Sequence, residues 1–250
     1  MNRIIQLAYE NGVSHIIYLS FMFAGIIAEL IGVLILSKKY QVNIYKVLII
    51  YGIGIPFLFI VMKLQFWIES GFKSYGGYNI VRTFIFYPPT ILILSKLLKE
   101  DGIKICDIAG PTSILLQGLA HWGCAFDGCC YGIKMANGIY NPVFQDYRFP
   151  IQFVEAIVAI AISVILFIRA KNKNYNSDGT QYPWMLILYG STRFLLEFLR
   201  DNDKLFLNIS SLAIHALIMF VIGFVWLLLI KTNKKDKKLF VIKKGVDEIE

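Results

Sequence analysis

The chain has 250 residues, of which 57% are hydrophobic and 17% charged, with a net charge of +8. A water-soluble domain of this size carries about a quarter charged residues, so the composition excludes a disordered chain and argues against an ordinary cytosolic enzyme. Several apolar runs are long enough to cross a hydrocarbon layer of ~30 Å, which predicts a polytopic membrane protein.

An N-terminal segment, 1–14, precedes the first apolar run, His15–Leu36. That run is as long as a true span and lacks a small-x-small cleavage site, so no cleaved signal peptide is expected. Six more runs follow at Ile44–Met62, Gly76–Leu98, Asp107–Phe126, Ile151–Ile168, Pro183–Leu199 and Ile209–Ile230. They do not alternate as barrel strands do, so the predicted fold is all-α, with seven transmembrane helices over 15–230 and a basic tail over 231–250. The longest connection, about 127–150, is the expected place for a small extracytoplasmic cap.

Orientation follows from positive charge. The loops 37–46, 96–107 and 169–182 plus the tail carry 16 Lys and Arg residues; the opposite set carries 7. The positive-inside rule then places the N-terminus outside and the C-terminus in the cytoplasm. The basic tail reads as a topology determinant and a partner for anionic lipid. No other basic or aromatic patch supports nucleic-acid binding.

Ionisable groups inside a bilayer are usually paired or functional. In the predicted orientation Arg82, His121, Glu155, Arg193, Glu197 and His215 all fall within about 10 Å of the outer interface at ~1.5 Å of rise per residue. Glu29 lies deeper, about 21 Å down. In the sixth span, Tyr189, Arg193, Glu197 and Arg200 are spaced to form one stripe. An internal salt bridge with a snorkelling arginine accounts for such a stripe. Two guanidiniums in a layer of low dielectric also suit a phosphate, which makes an anionic phospholipid the candidate ligand. Gln152 and Glu155 repeat the pattern on the fifth span.

Cys124, Cys129 and Cys130 sit in Gly123-Cys-Ala-Phe-Asp127-Gly-Cys-Cys-Tyr-Gly132, at the outer end of the fourth span, and Cys106 lies near its cytoplasmic end. Paired CxxC ligands or His at finger spacing are missing. A disulfide on the outer side, or small residues packed at a turn, is the expected arrangement, and neither a metal nor a cofactor is expected. Tyr75-Gly-Gly-Tyr78 supplies glycines for a second tight turn.

These residues together resemble a known family. Tyr189-Gly-Ser-Thr-Arg193-Phe-Leu-Leu-Glu197-Phe-Leu-Arg200 is similar to the YGxxRFxxExxR signature of bacterial prolipoprotein diacylglyceryl transferases. Pro150-Ile-Gln152-Phe-Val-Glu155-Ala resembles the family's PxQLYEA element, and the cysteine loop resembles GRxGCFxxGCCYG. Tyr75-Gly-Gly falls where HGG is expected. The resemblance covers roughly 15–230 and implies transfer of a diacylglyceryl group from phosphatidylglycerol to the lipobox cysteine thiol of a preprolipoprotein at the bacterial plasma membrane, with glycerol phosphate released. It implies Arg193 as phosphate clamp, Glu197 and Arg200 as its orienting or headgroup-binding partners, and Gln152, Glu155 and Tyr189 in the same pocket.

Five departures stand out. His121 replaces the Arg of the GRxG element, Tyr75 replaces the His of HGG, Phe149 replaces a His, and Val154 replaces a Tyr. His215 stands where the last span carries Gln. His121 is a candidate general base or phosphate donor, with a hydrogen-bonded interfacial side chain as the alternative. Tyr75 is a catalytic candidate by position, and Arg82 a candidate replacement for the lost positive charge. Two other classes compete: a non-catalytic anionic-lipid-binding or transport protein on the same scaffold, and thiol redox chemistry at the three cysteines.

Overall fold

The computed structural model describes residues 1–69, 71–73, 80–172, 177–202, 204–206 and 209–247, with side chains described as far as 232 and not at 69 or 204–206. Eight helices are described: α1 (Asn2–Glu10), α2 (Ser14–Tyr40), α3 (Ile44–Glu69), α4 (Ile80–Leu97), α5 (Gly102–Asp127), α6 (Ile151–Lys171), α7 (Gln181–Glu197) and α8 (Ser211–Asp247). Two short antiparallel hairpins interrupt them: β1 (Lys134–Asn141) with β2 (Asp146–Arg148), and β3 (Lys204–Phe206) with β4 (Ile209–Ser210). The protein is therefore mainly helical, as expected, with small sheet elements that the apolar pattern does not reveal.

Five helices, α2, α3, α4, α6 and the Ser211–Thr232 part of α8, are long and apolar enough to cross a membrane. The other two expected spans, α5 and α7, are helical but fall outside that group. α7, at 17 residues, is too short for it; α5 is long enough, and for it the reason is position. α5 packs against α2, α4, α6 and α7, and Asp107, Gln117 and His121 are buried along it. A helix covered by other helices can carry polar groups that a lipid-facing helix cannot.

Burial runs opposite to that of a water-soluble protein. Glu29, Arg82, Asp107, His121, Glu155, Arg193, Glu197 and Arg200 are inside, while Phe23, Ile31, Ile60, Ile93, Ile165 and Leu229 face out. This is the arrangement that lipid as solvent demands.

Several helix limits move from the sequence expectation for local reasons. α5 starts at Gly102 because the Asp101 carboxylate caps it, accepting from the amides of Ile103 (3.0 Å) and Lys104 (3.2 Å). α3 starts where Asn43 Oδ1 accepts from the Tyr45 amide at 3.0 Å. α7 starts at Gln181 because buried Asp107, on α5, accepts from the amides of Gly179 and Gln181, each at 2.9 Å. α8 continues through Ile230 into the basic tail as far as Asp247, so the backbone has no break where the tail was expected to begin.

Small residues set the closest helix contacts. A Cβ at Gly118 would stand 3.1 Å from the Ala156 carbonyl oxygen of α6, and one at Gly190 would stand 2.9 Å from backbone atoms of Ala216 and Phe220 on α8. Gly190→Val is therefore expected to push α7 off α8 and to destabilise the protein by about 1–3 kcal/mol. Thermal unfolding in detergent checks it, and an unchanged midpoint would show that the α7–α8 seam is not tightly packed.

In the expected cap region, β1 and β2 pair with Tyr140 opposite Tyr147 and Asn141 opposite Asp146. The Asn2 carboxamide of α1 accepts from the Tyr140 amide at 3.2 Å, which docks the N-terminal helix on this hairpin. Arg148 is the clasp beneath it. Its guanidinium donates to Asp146 (2.7 Å), Asp201 (2.8 Å) and the Gly132 carbonyl (3.3 Å), and lies over the rings of Tyr131 and Phe144. The hydrogen bonds from Arg148 hold the Asp146 carboxyl below the usual carboxylate range.

Candidate functional site

Glu155 sits at the centre of a buried ionic cluster. Its carboxylate, on the first turns of α6, accepts from three side chains on three other segments. His121 Nε2 of α5 lies 2.8 Å away and Arg193 Nη1 of α7 lies 3.1 Å away. Arg200 closes on both carboxylate oxygens through Nε (3.3 Å) and Nη2. Glu155 is 1% exposed, and Arg193, Arg200 and His121 are 4–5% exposed. Charges this deep persist only when paired and hydrogen-bonded.

Arg193 also donates from Nη1 to Glu197, one turn further along α7. Because both carboxylates are served by Nη1, the Nε and Nη2 groups have no hydrogen-bond partner among the described residues. The other oxygen of Glu197 accepts from the Ser210 hydroxyl at 2.7 Å and from the Asn202 carboxamide. A small recess beside them is lined by Glu197, Arg200, Asn202, Ser210 and Ala213.

The expected stripe on the sixth span is corrected in one respect. α7 ends at Glu197, so Arg200 is not on the helical face. It reaches Glu155 because residues 199–200 run antiparallel to the segment after α5, with a bridge between Gly132 and Arg200 and a 3.0 Å bond from the Ile133 amide to the Leu199 carbonyl. A Cβ at Gly132 would meet the Phe149 carbonyl oxygen at 2.5 Å, so this crossing needs glycine. The snorkelling alternative does not hold for Arg200, which is buried and paired, whereas the internal Arg193–Glu197 bridge does form.

The remaining candidates are placed as follows. Tyr189 is buried one turn before Arg193, edge-on to Phe84 at 5.6 Å, and its hydroxyl faces Gln117 without meeting hydrogen-bond geometry. Gln152 donates to the Cys129 carbonyl at 2.9 Å, so it anchors the turn after α5. Arg82, buried on α4, donates to the Ser211 hydroxyl at 3.3 Å, next to the serine that binds Glu197. His215 is turned back on its own helix, with Nδ1 2.6 Å from the Ser211 carbonyl oxygen, and no described contact brings it to the cluster. Tyr75 and the glycines after it lie outside the described residues. Glu29 sits apart, within electrostatic reach of Tyr51 and Tyr87.

The His121 ring is committed at both nitrogens. Nε2 faces the carboxylate, which can only accept, and Nδ1 lies 2.6 Å from the Gln117 carboxamide nitrogen and 3.1 Å from the Gln117 carbonyl. Gln117 was not singled out from the sequence, although its i−4 spacing from His121 was the available signal. Ser210 and Asn202 gave no such signal, since chain closure around β3 and β4 brings them in.

The expected disulfide is not formed. All four cysteines are free thiols, and the sulfurs of Cys124, Cys129 and Cys130 lie within 4.8 Å of one another. The alternative of a tightly packed turn is what the chain adopts: Gly128 caps α5 with φ +75°, and a Cβ at Gly123 would stand 2.9 Å from the Tyr18 Cα.

A family model for prolipoprotein diacylglyceryl transferase matches residues 8–229. Among curated proteins the chain is similar to phosphatidylglycerol–prolipoprotein diacylglyceryl transferase 1 of Clostridium perfringens, 28% identical over 185 residues that cover 69% of this chain and 68% of the relative. It is also similar to the Clostridium novyi phosphatidylglycerol–prolipoprotein diacylglyceryl transferase, 23% identical over 227 residues, 82% of this chain and 86% of the relative. The Streptococcus uberis protein of that name is 26% identical over 180 residues, 68% of this chain and 66% of its own.

Proposed function

The chain belongs to the prolipoprotein diacylglyceryl transferase family, and we infer from this that it moves a diacylglyceryl group from phosphatidylglycerol to the cysteine thiol of a prolipoprotein. A sulfur–carbon bond forms at the glycerol carbon of the lipid, the carbon–oxygen bond to phosphate breaks, and glycerol phosphate leaves as the thiol loses its proton.

The observation that carries this reading is the buried convergence of Arg193 and Arg200 on Glu155. Phosphate departure puts negative charge on oxygen, and fixed cations in a water-poor site stabilise that charge without reorganising. Arg193 keeps the single edge formed by Nε and Nη2 for a phosphate while Glu155 and Glu197 hold its plane. Arg82, beside the α8 N-terminus, is a further buried guanidinium at the Glu197 end of the cluster, where it donates to the Ser211 hydroxyl. His121, with both nitrogens engaged, serves better as a positioning residue for Glu155 than as a free general base.

This reading places α5 and α7 across the membrane as well, giving seven spans. α5 has 26 residues, ample for ~30 Å of hydrocarbon, and its polar groups are covered by neighbouring helices. The excess of Lys and Arg on alternate loops supports an outward N-terminus, with the β1–β2 hairpin as the extracytoplasmic cap.

Purified protein supplied with phosphatidylglycerol and a lipobox peptide is expected to release one glycerol phosphate per thioether formed, measured by mass spectrometry of the peptide. Saturable phosphatidylglycerol binding without any covalent product would overturn the transferase reading in favour of a lipid-binding protein on this scaffold.

A further inference from the structure

We propose that Cys124, Cys129 and Cys130 form a zinc site with one coordination position open, and that the acceptor thiolate takes that position. The sequence alone argues against it, because a Cys-x4-Cys-Cys run lacks the paired spacing of zinc-binding modules. The fold supplies what the spacing does not. α5 ends at Asp127, Gly128 turns the chain at φ +75°, and Cys130 itself adopts a left-handed φ of 54°. That reversal carries Cys129 and Cys130 back onto Cys124, and the three sulfurs lie within 4.8 Å of one another. With Zn–S bonds of about 2.3 Å, tetrahedral ligands stand roughly 3.8 Å apart, so movement of an ångström or less closes the set on an ion.

Cys130 lies beside the His121 ring and within electrostatic reach of Arg200, so the thiol cluster borders the ionic site on that side. Gln152, donating to the Cys129 carbonyl at 2.9 Å, fixes the loop. His121 is already held by Glu155 and Gln117, so these three thiols leave the fourth position vacant. An open position is the mark of a reactive rather than a structural zinc site.

The role of the open position rests on the transferase reading. Coordination to zinc ionises a thiol at neutral pH, which is the activation that alkylation of sulfur requires. The acceptor thiol gives up its proton to solvent water on binding zinc. Its sulfur then attacks the glycerol carbon, and the carbon–oxygen electron pair leaves with the phosphate, beside Arg193 and Arg200. No oxidant or reductant is consumed.

Full-length protein in detergent, stripped by a chelator under reducing conditions, would be titrated with Zn2+ and, as a spectroscopic probe, Co2+. One equivalent per chain is expected to survive desalting, with thiolate-to-cobalt charge-transfer absorption. Cys124→Ser/Cys129→Ser is expected to lower retained metal at least tenfold, and Cys106→Ser, whose thiol lies elsewhere on α5, to leave it unchanged. Adding a cysteine lipobox peptide should shift the cobalt d–d bands, and the serine peptide should not.

Failure of unmutated protein to retain metal, or a thiol titration showing a disulfide among the three, overturns the site. A bound ion whose spectrum ignores the cysteine peptide, or metal-free protein that transfers at full rate, overturns the role while leaving the transferase reading intact. Zinc-loaded protein that shows the peptide shift and yet never releases glycerol phosphate overturns the transferase reading and the alkylation step built on it.

Discussion

Arg193→Ala is expected to lower the rate of glycerol phosphate release at least ~10²–10³-fold, the usual consequence of deleting one fixed donor from a site of developing negative charge. The expectation follows from geometry. Nη1 is tied to Glu155 at 3.1 Å and to Glu197, so the guanidinium plane is fixed before any lipid arrives. A fixed cation costs no reorganisation when the phosphate departs. Removing Arg193 also strips a partner from two buried carboxylates, so loss of activity alone would not separate chemistry from unfolding. Arg193→Lys makes that separation. It keeps a cation beside both carboxylates and loses the planar fork that grips a phosphate through two bonds. The lysine variant is expected to unfold near the wild-type temperature while transferring at least ~10-fold more slowly. Wild-type rates from a folded alanine variant would remove the clamp, and wild-type rates from the lysine variant would reduce it to a point charge.

Glu155→Ala carries the largest expected effect on stability. Glu155 is the shared acceptor of Arg193, Arg200 and His121. Truncating one partner of a buried ion pair costs about 3–5 kcal/mol, because the cation left behind remains desolvated. Here the cations are several, so the upper end is expected, read as a fall in the thermal or denaturant midpoint in detergent. Arg200→Met in the Glu155→Ala background should recover part of that loss, since an unpaired buried cation is then replaced by an apolar side chain of similar length. A double-mutant cycle with strictly additive effects would show that the two residues are not coupled and would dissolve the cluster as an energetic unit.

The helices were legible because lipid selects long apolar runs, and α2, α4 and α6 follow them closely, while α3 runs on past Met62 to Glu69. The polar core was legible for a related reason: a charge within such a run stands out. Glu155, Arg193, Glu197 and His121 were found by their placement in apolar surroundings and are joined in the structure. Gln152 and His215 were found in the same way, but their hydrogen bonds go to the Cys129 carbonyl and the Ser211 carbonyl. Spacing along a helix fixes a face and not the partner that face meets. The route of Arg200 was illegible, since helical spacing continues past Glu197 while the backbone leaves the helix to pair with Gly132. The three cysteines were singled out, but their arrangement as free thiols around one point was not, because it is made by left-handed residues at Gly128 and Cys130, and backbone handedness at a cysteine leaves no mark in composition or period.

Asp107 has a consequence for how the chain assembles. Its carboxylate waits for the amide of Gln181, 74 residues later, an interval of roughly 4–15 s at ~5–20 residues per second of synthesis. During that interval the Asp107 carboxylate is without the amides of Gly179 and Gln181 that it accepts from in the folded chain. The final packing of α5 is therefore completed only after α6 and α7 emerge. The most central helix of the bundle is thus among the last to settle, and a ribosome halted before residue 181 would leave it without its lid.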